Sequence, residues 1–155
     1  MNVIYAPKRF GKTTHYQGPV IFLAGSIEMG KAEKWQDRVI RELQHKKGYI
    51  FNPRRPDWDS SWIQSIDNPQ FREQVEWELF AMDMSTTIAM YFDPNTKSPI
   101  TLLELGLHAD DRKLIVCCPD GFWKKGNVDI TCHYYEVETV SNIEELIESL
   151  LGKSI

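Results

Sequence analysis

The segment TKSPITLLELGLHA, Thr96–Ala109, carries a complete helix pattern. Ser98 stands at the N-cap position and Pro99 in the first turn, where these residue types are favoured. Apolar residues recur around nearly the whole circumference, which predicts a buried helix. A single carboxylate, Glu104, lies in the middle of this helix with a leucine on either side.

Glu104 therefore has an unusual predicted environment. A buried carboxylate without a partner is destabilising or acquires a raised pKa. Two interpretations remain open from this segment alone: a core glutamate with satisfied hydrogen bonds, or a carboxylate that faces a cleft. Gly106 follows it closely and lets a ligand or another chain approach the helix.

Length and composition limit the fold classes and the kinds of partner that are possible for this chain. The 155 residues, of which 42% are hydrophobic, predict a single domain spanning residues 1–155 with a substantial core. The net charge of -4 provides no basic field for a nucleic acid duplex. No apolar run approaches the roughly 18 residues of a membrane span, and no signal peptide is evident. We expect a cytoplasmic protein without a membrane partner.

The cysteines and histidines show no metal-binding pattern. No CxxC motif and no pairing of a cysteine with a histidine supplies a metal site, so we predict none. The three cysteines are interpreted as packing residues of a protein in a reducing compartment. The residues concerned are Cys117, Cys118, Cys132, His15, His45, His108 and His133.

The FGKTT segment at residues 10–14 superficially resembles a phosphate-binding P-loop. That motif requires a first glycine where this chain has Ala6, and a helix after the threonine where this chain has HYQGP. A P-loop kinase that depends on Lys12 is therefore disfavoured, and we interpret the segment as a polar connector.

Five segments have strand character. Val20–Ala24 (VIFLA), Thr86–Phe92 (TTIAMYF) and Lys113–Cys118 (KLIVCC) are apolar enough for buried strands. Val3–Ala6 and Tyr49–Phe51 predict two shorter strands.

Helical segments alternate with these strands. Residues 31–48 and Pro69–Met82 have helical spacing, and Ser141 with Glu144 predicts a capping box before a last helix. Phe122–Tyr135 is expected to be irregular, with an edge strand. This order predicts an α/β fold, a flavodoxin-like or Rossmann-like open parallel sheet of about five strands with helices on both faces.

Polar residues follow the predicted strands at one edge of this sheet. Gly25 and Ser26 follow the first buried strand, Asn52–Arg55 follow the next, and Asp93 precedes the helix of Glu104. Open α/β sheets bind ligands at the carboxyl ends of their strands. This convergence favours the interpretation in which Glu104 faces a ligand cleft.

Three stretches, LAGSIEMGKAEKWQ, FNPRRPDWD and TKSPITLLELGLHA, with QVEWEL between the second and third, together resemble the nucleoside 2-deoxyribosyltransferase-like family. The resemblance runs from about Val20 to Cys118. It implies cleavage of the N-glycosidic bond of a 2′-deoxynucleoside, with transfer of deoxyribose to another base or to water. It also implies that no cofactor and no metal is needed.

The same resemblance implies roles for individual residues. Glu104 matches the nucleophile, which would form a covalent deoxyribosyl-glutamate intermediate. Asp93 is the first choice for the acid that protonates the leaving base, and Asp83 is the second. Gly25 and Ser26 would lie near the sugar. The remaining substrate-binding candidates are Asn52, Arg54, Arg55, Asp57, Trp58, Gln74 and Asn127, the last contributed by a neighbouring subunit of a homodimer or higher homo-oligomer.

Two alternatives share this fold. One is a deoxynucleoside 5′-monophosphate N-glycosidase, in which the first glycine loop holds the phosphate. Glu28 disfavours an anion in that loop, whereas Lys31 and Lys34 favour it. The other is a catalytically inactive nucleotide-binding or sensing module. Transfer and hydrolysis are not separated by the sequence.

Overall fold

The computed structural model describes residues 1–11, 15–27 and 34–153. These residues form one parallel sheet, which confirms the predicted open α/β architecture but has six strands instead of about five. The strands are β1 Asn2–Tyr5, β2 Val20–Gly25, β3 Tyr49–Asn52, β4 Thr87–Tyr91, β5 Leu114–Cys117 and β6 Glu138–Val140. Their order across the sheet is β1-β3-β2-β4-β5-β6.

Helices cover both faces of this sheet. Their bounds are α1 Trp35–Leu43, α2 Pro69–Met84, α3 Pro99–His108, α4 Lys125–Tyr134 and α5 Ile143–Lys153. Residues of α2, α3 and α4 share one hydrophobic cluster, and residues of α1 and α5 share the other. Because β2, β4 and β5 are buried on both faces, their sequences are almost continuously apolar.

The prediction for Phe122–Tyr135 was wrong. Most of this segment forms α4, and the edge strand is β6, which follows it. The segment contains Gly126 and several β-branched residues, which have low helix propensity. Val128 and Cys132 lie one turn apart and are both buried in the core, so tertiary packing outweighs the local preference.

Helix α3 is less buried than its sequence suggests. Its inner face, which includes Glu104 and Leu105, is buried against the sheet. Ile100, Leu103 and Leu107 are 59%, 58% and 52% exposed on the outer face. Only one side of α3 meets the sheet, so the apolar residues on its other side remain exposed.

Helix caps also differ from expectation. Asn142, instead of Ser141, caps α5: its side-chain oxygen accepts a hydrogen bond from the Glu145 backbone N–H at 2.9 Å. Asn68 caps α2 in the same way, through the N–H groups of Gln70 and Phe71. In both helices the N-cap residue is an asparagine, a residue type that is favoured at this position.

Three further predictions concern cysteines, membranes and the glycine-rich segments. Cys117, Cys118 and Cys132 are buried and free, as expected for packing residues, and the first two lie in clusters on opposite faces of the sheet. Among the described residues, none of the helices has the length and apolar character needed to cross a membrane. Lys12, Glu28 and Lys31 lie outside the described residues.

Candidate functional site

The chain changes direction across the sheet between β2 and β4, and their carboxyl ends lie side by side. Gly25 pairs with Tyr91, and the next backbone N–H, that of Ser26, donates to the Tyr91 carbonyl at 3.0 Å. A Cβ at Gly25 would stand 2.4 Å from this carbonyl oxygen, so only glycine fits. Such a point is where open parallel sheets form ligand clefts.

Three buried hydroxyl groups, those of Ser26, Thr96 and Ser98, form a hydroxyl cluster at this point. Thr96 Oγ1 lies 3.0 Å from Ser26 Oγ and 2.7 Å from Ser98 Oγ, and the Ser26 and Ser98 hydroxyls also contact each other. Ser98 makes no capping hydrogen bond to α3, contrary to the prediction. The cluster instead joins the loop after β2 to the start of α3.

Asp93 belongs to the same loop. Its backbone N–H donates to Ser26 Oγ at 2.8 Å, and its carboxylate accepts the Asn95 N–H at 2.9 Å. Asp93 is buried, so its side chain is part of the turn between β4 and α3. One carboxylate oxygen of Asp93, the first choice for the acid, is therefore used in a hydrogen bond within this turn.

Glu104 lies in the second turn of α3 on the face that meets the sheet, and only 7% of the residue is exposed. Among the described residues, no hydrogen bond to its carboxyl group is found. Burial raises the pKa of this carboxyl to about 8, and the negative charge of Glu78 adds to the rise. Within the described part of the chain, the oxygens of this buried carboxyl group therefore make no structural hydrogen bond.

Glu78 of α2 is the partner that the sequence analysis missed. It is half-buried, and burial raises the pKa of its carboxyl to about 7, although a hydrogen bond from Gln74 opposes the rise. We call Glu78 and Glu104 the carboxylate pair. The sequence gives one sign of this residue: in QVEWEL the carboxylate of Glu78 stands between the apolar residues Trp77 and Leu79. Its electrostatic effect on Glu104 depends on the packing of two separate helices.

The β3–α2 loop, residues 53–68, borders this region. Asn52, buried at the end of β3, accepts the Arg54 backbone N–H at 3.0 Å. The Arg54 guanidinium donates to Oε1 of the buried Gln36, at 3.1 Å, and so ties the loop to the start of α1. Two of the predicted substrate-binding residues are therefore held in defined positions at the sheet edge.

Other predicted residues are joined in the same loop. Arg55 forms two hydrogen bonds with Asp57, at 3.0 and 2.8 Å, and a third with Gln74 at 3.4 Å. Its guanidinium also lies 5.2 Å from the ring centre of Trp62, which contacts Trp58. The loop is consequently packed around the Arg55 side chain.

Two predicted residues lie elsewhere. Asp83 is exposed in the last turn of α2, just before β4 begins, and so stands at the opposite edge of the sheet from the carboxyl ends. Asn127 is exposed near the start of α4. The structure does not bring either side chain to the carboxylate pair.

A family model described as nucleoside 2-deoxyribosyltransferase like matches residues 18–122. The chain belongs to this family. Membership suggests glycosyl transfer or N-glycosidase activity on a small nucleoside-type molecule. The matched region of this deoxyribosyltransferase-like chain contains the hydroxyl cluster, the β3–α2 loop and both carboxylates, whereas Asn127 lies beyond it.

The comparison with solved structures supports the fold. The crystal structure of a conserved protein from Enterococcus faecalis V583 is similar to this deoxyribosyltransferase-like chain with a TM-score of 0.61 at 14% sequence identity. The similarity covers 88% of this chain and 99% of that chain. No curated protein matches the sequence significantly.

A concave region of this deoxyribosyltransferase-like chain is lined by residues other than the carboxylate pair and the hydroxyl cluster. It is an open depression of about 780 Å³ between the end of α4 and β6, lined by Asp129, Cys132 and His133 among others. In the described parts of the chain, no group of three or more His, Cys, Asp or Glu side chains is arranged to hold a metal ion.

The raised pKa of Glu104 predicts a stability effect that is independent of catalysis. Folding raises the pKa of Glu104 from 4.5 to about 8, so the folded protein favours the protonated carboxyl. The contribution of this preference to the free energy of unfolding is fully present below pH 4.5 and is lost as the pH rises towards 8. Glu104→Gln should therefore raise the free energy of unfolding at pH 9 by about 2–4 kcal/mol, and change it little at pH 4.5.

Urea unfolding at both pH values measures this difference. Glu76→Gln serves as a matched control, because Glu76 is exposed on α2 and pairs with Arg72. An equal effect of Glu104→Gln at both pH values would show that the folded protein does not disfavour the charged form of Glu104.

Proposed function

We propose that this protein cleaves the N-glycosidic bond of a 2′-deoxynucleoside and transfers the deoxyribosyl group to another base or to water. The observation that carries the proposal is Glu104, a buried carboxyl without a hydrogen bond among the described residues, whose pKa is raised by burial and by the charge of Glu78, a second carboxyl with a raised pKa. Carboxyl groups whose pKa values are raised by burial are frequent at sites of acid–base and glycosidic chemistry. Family membership supports the same reaction class.

In the first step, the carboxylate pair holds one proton, and the reactive form carries it on Glu78 although Glu104 has the higher pKa. An oxygen of the ionised Glu104 then attacks C1′ of the sugar. The C1′–N bond breaks, its electron pair stays on the base nitrogen, and protonated Glu78 transfers its proton to the base. The transition state resembles an oxocarbenium ion, which is comparatively accessible because the sugar lacks a 2′-hydroxyl. The products are a deoxyribosyl ester of Glu104, a free base and ionised Glu78.

In the second step, a base nitrogen or a water oxygen attacks C1′ of the ester. Glu78 accepts the proton of the attacking group, and the C1′–O bond to Glu104 breaks so that its carboxylate is regenerated. One carboxyl thus serves as acid and then as base, which the raised pKa of Glu78 favours near neutral pH. No cofactor is required.

The structure also motivates roles for the surrounding residues. The hydroxyl cluster and Gly25 border the place where the sugar would lie against α3. Asn52, Arg54 and the indole of Trp58 would bind the base through hydrogen bonds and stacking. Under this proposal, Arg55 and Asp57 maintain the loop that presents these groups.

A second candidate substrate is the deoxynucleoside 5′-monophosphate. Lys97 and Lys124 are exposed beside Trp123, 5.4 and 4.8 Å from its ring centre, and the Trp123 indole donates to the Lys97 carbonyl at 2.9 Å. This positive charge lies next to the hydroxyl cluster, at the start of α3, and favours an anionic 5′ substituent.

The test is product chromatography after incubation with each 2′-deoxynucleoside and each 5′-monophosphate, with and without a second free base. A released base supports the proposal, and a new deoxynucleoside formed only with added base identifies a transferase. If no substrate is consumed while thermal shift shows binding of the same compounds, the chain is a binding module and the catalytic proposal fails.

We also propose that the protein is a homodimer or a higher homo-oligomer. Ile100, Leu103 and Leu107 expose an apolar surface on α3, and Val75 and Leu79 are 37% and 42% exposed on α2, which covers the same sheet face. Exposed apolar surfaces of this type are typical of subunit interfaces. Asn127 from one subunit would complete the site of its neighbour.

Leu103→Asp should therefore dissociate the oligomer. A charge at the centre of the apolar surface would be buried without a partner in the assembled state, so we expect a monomer at micromolar concentration. Light scattering after size-exclusion chromatography measures the mass. Arg41→Asp is the matched control, because Arg41 is exposed on α1, which covers the opposite face of the sheet. A wild-type monomer at high concentration would refute the assembly.

A further inference from the structure

Gln74 was expected to contact the substrate, but the structure shows its amide engaged by the protein. Nε2 donates to the Pro53 carbonyl at 3.0 Å and to Glu78 Oε1 at 2.6 Å. Oε1 accepts a hydrogen bond from the Arg55 guanidinium at 3.4 Å. The residue is only 4% exposed. Both N–H groups of the amide are thus used within the protein.

These contacts make Gln74 a bridge between two parts of the proposed site. On one side is the β3–α2 loop, represented by Pro53 and Arg55. On the other side is Glu78, one turn further along α2 and half-buried, whose charge influences the pKa of Glu104. A buried side chain with every donor satisfied has a well-defined rotamer, and the groups that it contacts are fixed relative to one another.

We propose that Gln74 is a positioning residue for the Glu78 carboxyl, and that it holds this carboxyl in register with the loop that borders the base. The inference rests on the proposed function. It assigns Gln74 no contact with the substrate. Its effect on the reaction would pass through the orientation and the protonation of Glu78.

The charges around Glu78 indicate the direction of the effect. Burial favours its protonated form, whereas the Gln74 hydrogen bond stabilises the carboxylate and lowers the pKa. Glu104 of α3 interacts electrostatically with Glu78, and the charge of Arg55 in the β3–α2 loop is balanced by Asp57 and Glu73. Removal of the Gln74 amide should therefore raise the pKa of Glu78 further.

Gln74→Leu tests this inference, because it keeps the volume and removes all three hydrogen bonds. For natural deoxynucleosides we expect kcat to fall between about tenfold and a hundredfold. Both limbs of the pH–rate profile belong to the carboxylate pair, so a higher pKa of Glu78 should move the profile, its acid limb most, to higher pH. For 4-nitrophenyl 2-deoxyriboside, whose leaving group needs no proton, the loss should be much smaller.

Gln70→Leu is the matched control, since Gln70 is exposed on the first turn of α2. Gln74→Met serves as a second variant if the leucine variant does not fold. Equal losses on both substrates, or a pH–rate profile that stays in place, would show that Gln74 has only a structural role and would overturn the inference.

A second measurement separates this inference from the proposed function. NMR titration of ¹³C-labelled glutamate, assigned with Glu78→Gln, reports the pKa of Glu78 without any substrate. A higher pKa in Gln74→Leu supports the contact even when the wild-type protein turns over no deoxynucleoside, in which case the proposed function alone fails. An unchanged pKa overturns the inference even when the wild-type protein is active.

Discussion

Glu104→Gln is expected to lower kcat/KM for every deoxynucleoside substrate by a factor of about 10⁴ or more. The amide retains the shape of the side chain but has no ionised oxygen to attack C1′. Because the carboxyl of Glu104 has no hydrogen bond among the described residues, the substitution removes no structural contact of that group. Folding should therefore be preserved while the chemistry is lost.

The covalent intermediate provides the direct check. Acid quenching of the wild-type protein during turnover, followed by proteolysis and mass spectrometry, should show one deoxyribosyl group on the peptide that contains Glu104. The Glu104→Gln variant should show none, and Glu76→Gln, an exposed substitution on α2, should behave as the wild type. Full activity of Glu104→Gln would reject the nucleophile assignment.

Glu78→Gln should produce a loss that depends on the leaving group. For natural bases, which leave as unstable anions unless protonated, kcat/KM should fall by about 10²–10⁴. For 4-nitrophenyl 2-deoxyriboside the first step needs no acid, and the loss should be within about tenfold. The burial of Glu78 and its influence on Glu104 give the physical basis of this expectation.

Asp93→Asn tests the competing assignment. Asp93 was the first choice from sequence, but the structure places its side chain in the turn that begins α3. We expect similar losses on both substrates for Asp93→Asn, as for a structural residue. If this variant shows the leaving-group dependence and Glu78→Gln does not, Asp93 is the acid and the role of Glu78 is refuted.

The central strands were predictable from local sequence. β2, β4 and β5 are enclosed by helices on both faces, so almost every position in them carries an apolar residue. Helix α2 was predicted from the periodicity of its apolar residues. Helix α4 was missed because its local preferences oppose a helix, and only the burial of Val128 and Cys132 favours it.

For the candidate site, the sequence by itself determined which groups follow the carboxyl ends of the strands, and it singled out Glu104 as a carboxylate among leucines. Gly25, Ser26, Asn52 and Asp93 come at or just after the ends of their strands, and parallel strands present all their carboxyl ends on the same side of a sheet. This information is local and depends only on where each strand ends.

Only the tertiary structure decided which groups act on one another. Glu78 and Glu104 belong to different helices, and they interact because α2 and α3 pack on the same face of the sheet. Gln74 was predicted to face the substrate, yet packing directs its amide to Glu78 and to the β3–α2 loop. Electrostatic coupling depends on distance and burial, which arise when segments remote in sequence come together.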